Sequence, residues 1–257
     1  GPIMGGVLSD PEIIGSDASL KLPFYAALFL VLIAIVLVIT FFRDIERERK
    51  PFAFRPLEIF DLLWRVTRYP LVLRLTTVFL FFHIANVTFY IFVDNYLTSR
   101  FGYGTLGGSM IMLTIGVALA FSSTFLVVPA QKRFNKQTIV AVNFITWAVC
   151  AAAFIASPVA ILCFLPVFLF YFVFGVSYPT FLGLYSTSVS NEEQGWVMGI
   201  TIAVFTLVAG IMSLLGGDLM SIDIRAPFYI VIVAALIGVV VLKIAWNQSE
   251  VRRIMRK

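Results

Sequence analysis

Charged residues are scarce in this sequence. Asp, Glu, Lys and Arg make up 13% of its 257 residues, whereas a soluble domain carries about 25%. Hydrophobic residues make up 60%, and the mean hydropathy is +0.98. Because so little charge is available to cover a water-facing surface, the composition predicts an integral membrane protein and argues against a soluble one.

Residues that bind metals or form disulfides are also few. The two cysteines, Cys150 and Cys163, lie in separate apolar stretches, and His83 is the single histidine. These numbers argue against a disulfide framework and against a metal cluster. Paired carboxylates and a phosphate-binding glycine loop are missing as well, so we predict neither an enzyme nor a cofactor. A nucleic-acid partner is not expected, since the chain lacks a basic, aromatic-studded soluble surface.

Long apolar runs, in contrast, are abundant. A transmembrane helix needs about 20 mainly apolar residues, and several segments of the chain meet that requirement. We therefore predict an all-α polytopic membrane protein embedded in lipid, with about seven transmembrane helices. The predicted spans are 23–42, 72–97, 105–130, 137–156, 159–186, 196–217 and 226–246. Pro166 and Pro179 lie in the fifth span and predict kinks there.

Basic residues are distributed unevenly between the two ends of these spans. Most of the 19 Lys and Arg lie in segments that fall on one side of a seven-span arrangement. Those segments are 43–74, 131–136 and 243–257. Because cytoplasmic loops are enriched in Lys and Arg, we predict that residues 1–22 are external and that the basic tail 247–257 is cytoplasmic.

The segment 43–71 is too polar to span a membrane. Pro56 suits the first turn of a helix, and the residues that follow form a mostly apolar stripe that includes Trp64. We predict a short amphipathic helix on the cytoplasmic face, with Trp64 and Tyr69 at the level of the lipid headgroups. The alternative is an ordered linker whose basic residues only set the topology.

Three short motifs occur in a fixed order along the chain. They are "GPIMGG" at 1–6, "PAQKRFNKQT" at 129–138 and "SNEEQGWVMG" at 190–199. Together with a basic loop before the last six spans, they resemble the major facilitator superfamily, most closely its drug:proton antiporter branch, which includes the tetracycline exporters. The first motif is similar to the end of the glycine-proline motif in that branch's fifth helix. Asn135 stands where the basic turn of the family has glycine.

This resemblance implies where each span belongs in the family fold. Span 23–42 corresponds to the sixth helix, and the six-helix bundle 72–246 corresponds to helices seven to twelve. The expectation is a fragment of a longer protein or a truncated gene product. Its partner would be the missing N-terminal half of the same transporter or a partner membrane protein, because the family works by rocking two six-helix halves around a midplane site.

The function implied by the resemblance is secondary active transport. We expect proton-coupled efflux or exchange of a small amphipathic substrate by alternating access, in the inner membrane of a bacterium. The alternative is a truncated pseudo-transporter that acts as a structural or regulatory membrane subunit and binds a partner protein. A retinal protein is not expected, since Lys243 lies at the end of the last span and no other lysine enters a span.

Polar and aromatic residues recur on one face of two spans. His83, Asn86, Tyr90 and Asp94 are spaced i, i+3, i+7 and i+11. Three tyrosines of the fifth span are seven residues apart. They are Tyr171, Tyr178 and Tyr185. The resemblance places both spans beside a central cavity, so these residues are candidates for substrate binding or proton coupling.

Two of the candidates, His83 and Asp94, have an alternative interpretation. His83 is suited to proton coupling because histidine titrates near neutral pH, or it is a neutral histidine that is hydrogen-bonded to a neighbouring helix. Asp94 is a minor candidate, and we favour an acid at the wet end of its helix.

Small residues mark possible helix–helix contacts. Rows of Gly, Ala and Ser allow two helices to approach closely in lipid. The predicted rows are Gly1, Pro2, Gly5 and Gly6 in the first motif, Gly116 and Ala120 in the third span, and Ala209, Ser213 and Gly217 in the sixth. We expect them to dock the other half of the transporter, with packing inside this chain as the alternative.

Overall fold

The apolar runs fold as helices. The computed structural model describes residues 2–15, 21–42, 64 and 66–247, and these residues contain no β-strand. The helices are α1 (Pro2–Ser9), α2 (Pro11–Ile14), α3 (Leu22–Phe41), α4 (Pro70–Phe101), α5 (Thr105–Phe125), α6 (Val127–Arg133), α7 (Lys136–Ala156), α8 (Phe164–Thr187), α9 (Gln194–Ile222) and α10 (Ala226–Trp246). A 3₁₀ turn, Ala160–Cys163, precedes α8.

Seven of the described helices are long and apolar enough to cross a membrane. They are α3, α4, α5, α7, α8 with its preceding turn, α9 and α10. The predicted all-α polytopic membrane protein is therefore confirmed. The amphipathic helix predicted in 43–71 and the tail 247–257 lie mostly outside the described residues, as does Gly1.

One predicted span is interrupted. The run 105–130 forms α5 and α6, with a break at Leu126. The physical reason is Pro129, which has no N–H to donate to the carbonyl of Phe125 and whose ring crowds that carbonyl. Pro166 lies in the first turn of α8, where backbone N–H groups need no helical partner, so this proline requires no kink. Pro179 lies inside α8.

The chain forms two compact units. The first comprises Gly1–Pro56 and Tyr103–Leu113, and the second comprises Leu57–Gly102 and Thr114–Lys257. In the first unit α1 packs against α3, and α3 buries none of its side chains. The position of Gly6 is tight, since a Cβ there would overlap the side chain of Ser109.

The second unit is a helical bundle with an aromatic core. Within it α10 packs against α4 and α7, α7 packs against α8, and α9 packs against α4. Trp147 stacks on Phe170 with ring centroids 4.6 Å apart, and its indole N–H donates to the Phe170 carbonyl at 2.8 Å. Phe89 stacks on the same ring at 4.1 Å. These contacts hold α4, α7 and α8 together at mid-bundle.

Glycine allows the closest approaches in this bundle. A Cβ on Gly238 of α10 would meet the ring of Phe144 on α7, and one on Gly175 of α8 would meet the side chain of Ser122 on α5. Gly102 ends α4 in the left-handed conformation, with φ of 67°. Its N–H donates to the Thr98 carbonyl at 3.0 Å, which is the usual way for a glycine to terminate a helix.

Candidate functional site

His83 lies in the middle of α4 and is enclosed by aromatic rings from three helices. It is 3% exposed. The Phe79 ring meets the imidazole edge-on at 4.3 Å between centroids, one turn back on α4. Tyr178 of α8 lies at 6.3 Å and Phe205 of α9 at 5.5 Å. The imidazole is therefore surrounded almost entirely by apolar groups.

Neither ring nitrogen of His83 has a hydrogen-bond partner among the described residues. Buried polar groups almost always have one, because an unpaired donor or acceptor in an apolar setting is costly. The alternative of a neutral histidine hydrogen-bonded to a neighbouring helix requires a partner for one nitrogen, and no described residue supplies it. His83 is thus available to a proton, a water molecule or a ligand.

Asn86 continues the polar face one turn along α4. Its side chain is 7% exposed, and its carbonyl oxygen has no partner among the described residues. Tyr90, one further turn along, is 50% exposed. The predicted face of α4 thus runs from a buried imidazole to an exposed phenol.

The three tyrosines of α8 have different surroundings. Tyr178 is partly exposed, stacks on Phe174 at 5.3 Å and lies next to His83. Tyr171 is buried, its hydroxyl has no partner among the described residues, and its ring meets that of Phe89 on α4 at 6.2 Å between centroids. Tyr185 is also buried and donates its hydroxyl to Thr76 Oγ1 at 3.0 Å.

These positions divide the predicted site residues into groups. His83 and Tyr178 lie side by side, Asn86 follows His83 by one turn of α4, and Tyr171 meets Phe89, which precedes Tyr90 in the sequence. Tyr185 instead forms a bond between α8 and α4, because its hydroxyl is already satisfied by Thr76. That bond fixes the spacing of the two helices that carry the site.

Asp94 lies two turns beyond Asn86, near the far end of α4. Its side chain is partly exposed, yet one carboxylate oxygen is buried without a partner among the described residues. The neighbouring Asn95 is exposed, and its amide N–H donates to the Ile91 carbonyl at 3.5 Å. Asp94 thus combines access to water with a partly enclosed carboxylate.

The predicted rows of small residues are mostly uncovered. Gly116 and Ala120 on α5 are exposed, and so are Ser213 and Gly217 on α9. A Cβ on Gly116 or Gly217 would meet no atom within 4 Å. Ala209 is the exception, because it packs against a cluster of α4 and α9 side chains.

In the first motif, Gly5 has open space around it and Gly6 is tightly packed. Pro2 begins α1.

Two features of the second unit were missed by sequence reasoning. Phe205 completes the enclosure of His83, but nothing distinguishes it from the other apolar residues of its span. Tyr69 donates its hydroxyl to Glu193 Oε1 at 2.6 Å and lies against the Trp196 ring at 5.0 Å. This contact links the start of α4 to the acidic turn of the third motif. The high polarity of that turn was a signal in the sequence that its side chains could form such a contact.

The family model of the Major Facilitator Superfamily matches residues 1–213. No curated protein matches the chain.

Proposed function

The chain belongs to the Major Facilitator Superfamily, whose members are membrane transporters, and from this premise we propose that it forms part of a proton-coupled secondary transporter. Its substrate is a small amphipathic molecule that is exported or exchanged by alternating access. We propose a bacterial inner membrane as its location, and the distribution of Lys and Arg supports a cytoplasmic C-terminus.

The observation that carries this proposal is the unpaired, buried imidazole of His83. Histidine changes charge near neutral pH more readily than any other ordinary side chain. Ionisable residues within membrane spans are costly and mark proton or substrate pathways. In this proposal His83 accepts a proton in one conformation of the cycle and releases it in the other.

Aromatic rings next to His83 supply the substrate contacts. Tyr178 is partly exposed and Phe205 is 45% exposed, whereas His83 behind them is 3% exposed. An amphipathic substrate can stack on these two rings and direct a polar group towards His83 and Asn86. Binding then requires a movement of the rings, which connects substrate entry with access of protons to the imidazole.

The uncovered rows of small residues are the proposed contacts with an opposing bundle. Alternating access in this family requires two bundles that move against each other. Gly116 and Ala120 on α5, with Ser213 and Gly217 on α9, present narrow exposed faces that allow close helix approach. A structural or regulatory membrane subunit would use the same exposed faces to bind its partner. A measurement of transport activity therefore distinguishes such a subunit from a transporter.

Vesicle transport tests the proposal. Inverted membrane vesicles are prepared from cells that express the protein from its native gene, and uptake of a panel of amphipathic compounds, tetracycline included, is followed at several pH values. His83→Ala should abolish pH-dependent uptake. Asn143→Ala is the matched control, because Asn143 is also a buried polar residue without a described partner but lies on α7. Unchanged pH dependence in His83→Ala would remove His83 from the mechanism.

A further inference from the structure

A cavity that His83 does not line lies where α6, α7 and α8 meet. Its volume is about 410 Å³, within the range of ligand pockets. The walls are apolar except for Arg133, Thr138 and Ser177. Phe134 and Val142 at its edge are 56% and 51% exposed, so the cavity opens to the surroundings of the bundle.

The cavity lies at one end of the membrane spans. Helix α6 ends at Arg133, and α7, itself a candidate span, begins at Lys136. Because basic residues gather at the ends of membrane spans, we expect the turn between them at the boundary between lipid and water. A molecule in the cavity would extend along the apolar span and place one end at the level of the lipid headgroups.

The rim of the cavity is basic. Arg133 lines it, and Lys132 and Lys136 flank Arg133 in the same turn. None of the three forms an ion pair with a residue that the structure describes. The sequence contains no Asp or Glu between residues 95 and 191, so nothing within these helices neutralises the three charges.

A polar group inside the cavity also lacks a partner. Ser177 is 1% exposed and lines the wall, and its hydroxyl has no hydrogen-bond partner in the described parts of the chain. Thr180, three residues further along α8, differs because its hydroxyl donates to the Val176 carbonyl at 2.8 Å and accepts from the Gln131 amide at 3.0 Å. Ser177 can therefore donate to an oxygen atom of a bound molecule.

We propose that this cavity binds one anionic membrane phospholipid. An acyl chain fills the apolar space, the phosphate lies against Arg133 at the rim, and an ester oxygen accepts from Ser177. The combination of an apolar cavity, an unneutralised basic rim and an unpaired hydroxyl fits a lipid better than a soluble anion, which would leave the apolar walls uncovered. Because this lipid comes from the surrounding membrane, occupancy of the site should depend on the lipid composition of that membrane.

Lipid titration of the purified chain tests the proposal. The detergent-solubilised, delipidated protein is titrated with phosphatidylglycerol or with phosphatidylcholine, and bound lipid is counted by native mass spectrometry. Phosphatidylglycerol should bind at least about fivefold more tightly, which is the effect of roughly one basic residue near an anionic headgroup. Equal binding of the two lipids would overturn the proposal.

Variants distinguish this cavity from general surface charge. Arg133→Ala should lower the affinity for phosphatidylglycerol about fivefold, whereas Lys243→Ala, which removes an exposed basic residue at the end of α10, should leave it unchanged. Val142→Trp fills the cavity while keeping every charge and should also weaken binding. The proposal fails if Arg133→Ala matches Lys243→Ala, or if Val142→Trp binds as the parent does. Displacement of the lipid by inorganic phosphate would also overturn it, in favour of a soluble anion.

Discussion

Replacement of His83 by leucine tests whether this histidine serves transport or stabilises the fold. Both ring nitrogens of His83 are buried without a partner among the described residues, and each such group costs about 1–3 kcal/mol. Leucine removes that cost and retains apolar volume. It also loses the edge-on contact with Phe79, which is worth about 0.5–1.5 kcal/mol. The two nitrogens together cost about 2–6 kcal/mol, so the balance is a stabilisation of about 0.5 kcal/mol or more.

The assay is thermal unfolding of the purified, detergent-solubilised protein without substrate, combined with vesicle transport. We expect His83→Leu to raise the unfolding temperature and to abolish pH-dependent transport. Asn143→Leu is the matched control. Both polar atoms of that amide are buried without a described partner, so it should be stabilised as well, but it should still transport. A lower unfolding temperature for His83→Leu would show that the imidazole is hydrogen-bonded in the folded protein and would refute the reasoning.

Other substitutions test the remaining contacts. Tyr178→Ala should weaken substrate binding roughly 2- to 12-fold, the value of one aromatic contact; unchanged affinity in equilibrium binding would place Tyr178 outside the site. Tyr185→Phe should lower the free energy of unfolding by about 1 kcal/mol, because the hydrogen bond to Thr76 is lost. In a Thr76→Val background the same substitution should have no further effect, whereas additive losses would argue against the bond. Gly238→Ala should lower the free energy of unfolding by about 1–3 kcal/mol, because the added Cβ would overlap the ring of Phe144. Gly183→Ala, with open space at the Cβ, should be neutral or slightly stabilising in the same unfolding assay.

The helical architecture could be predicted because hydrocarbon imposes a length on every span. Seven apolar runs predict seven membrane-spanning helices, and seven of the helices in the described parts of the chain are long and apolar enough to cross a membrane. Helix ends are less constrained, since α9 continues to Ile222, five residues beyond the predicted end at 217. The break at Leu126 could also have been predicted, because Pro129 forbids the bond to Phe125.

The candidate site could be predicted only in part. Periodicity identified His83, Asn86 and Tyr178, because one helical face repeats at fixed spacing. It could not show that Phe205 covers His83, because an apolar span gives no sign of which residue meets which helix. It also could not separate Tyr178 from Tyr185, which share a face of α8 but differ in whether the hydroxyl finds a partner on α4.

The driving force for transport tests the central claim most directly. Purified protein is reconstituted into liposomes, and uptake of a substrate found in the vesicle screen is measured while the pH gradient and the electrical potential are imposed separately. The account predicts that a pH gradient alone drives uptake and that its collapse by a protonophore stops it. Uptake that follows a sodium gradient, or an absence of transport of any compound under any gradient, would contradict the claim that this chain forms part of a proton-coupled transporter.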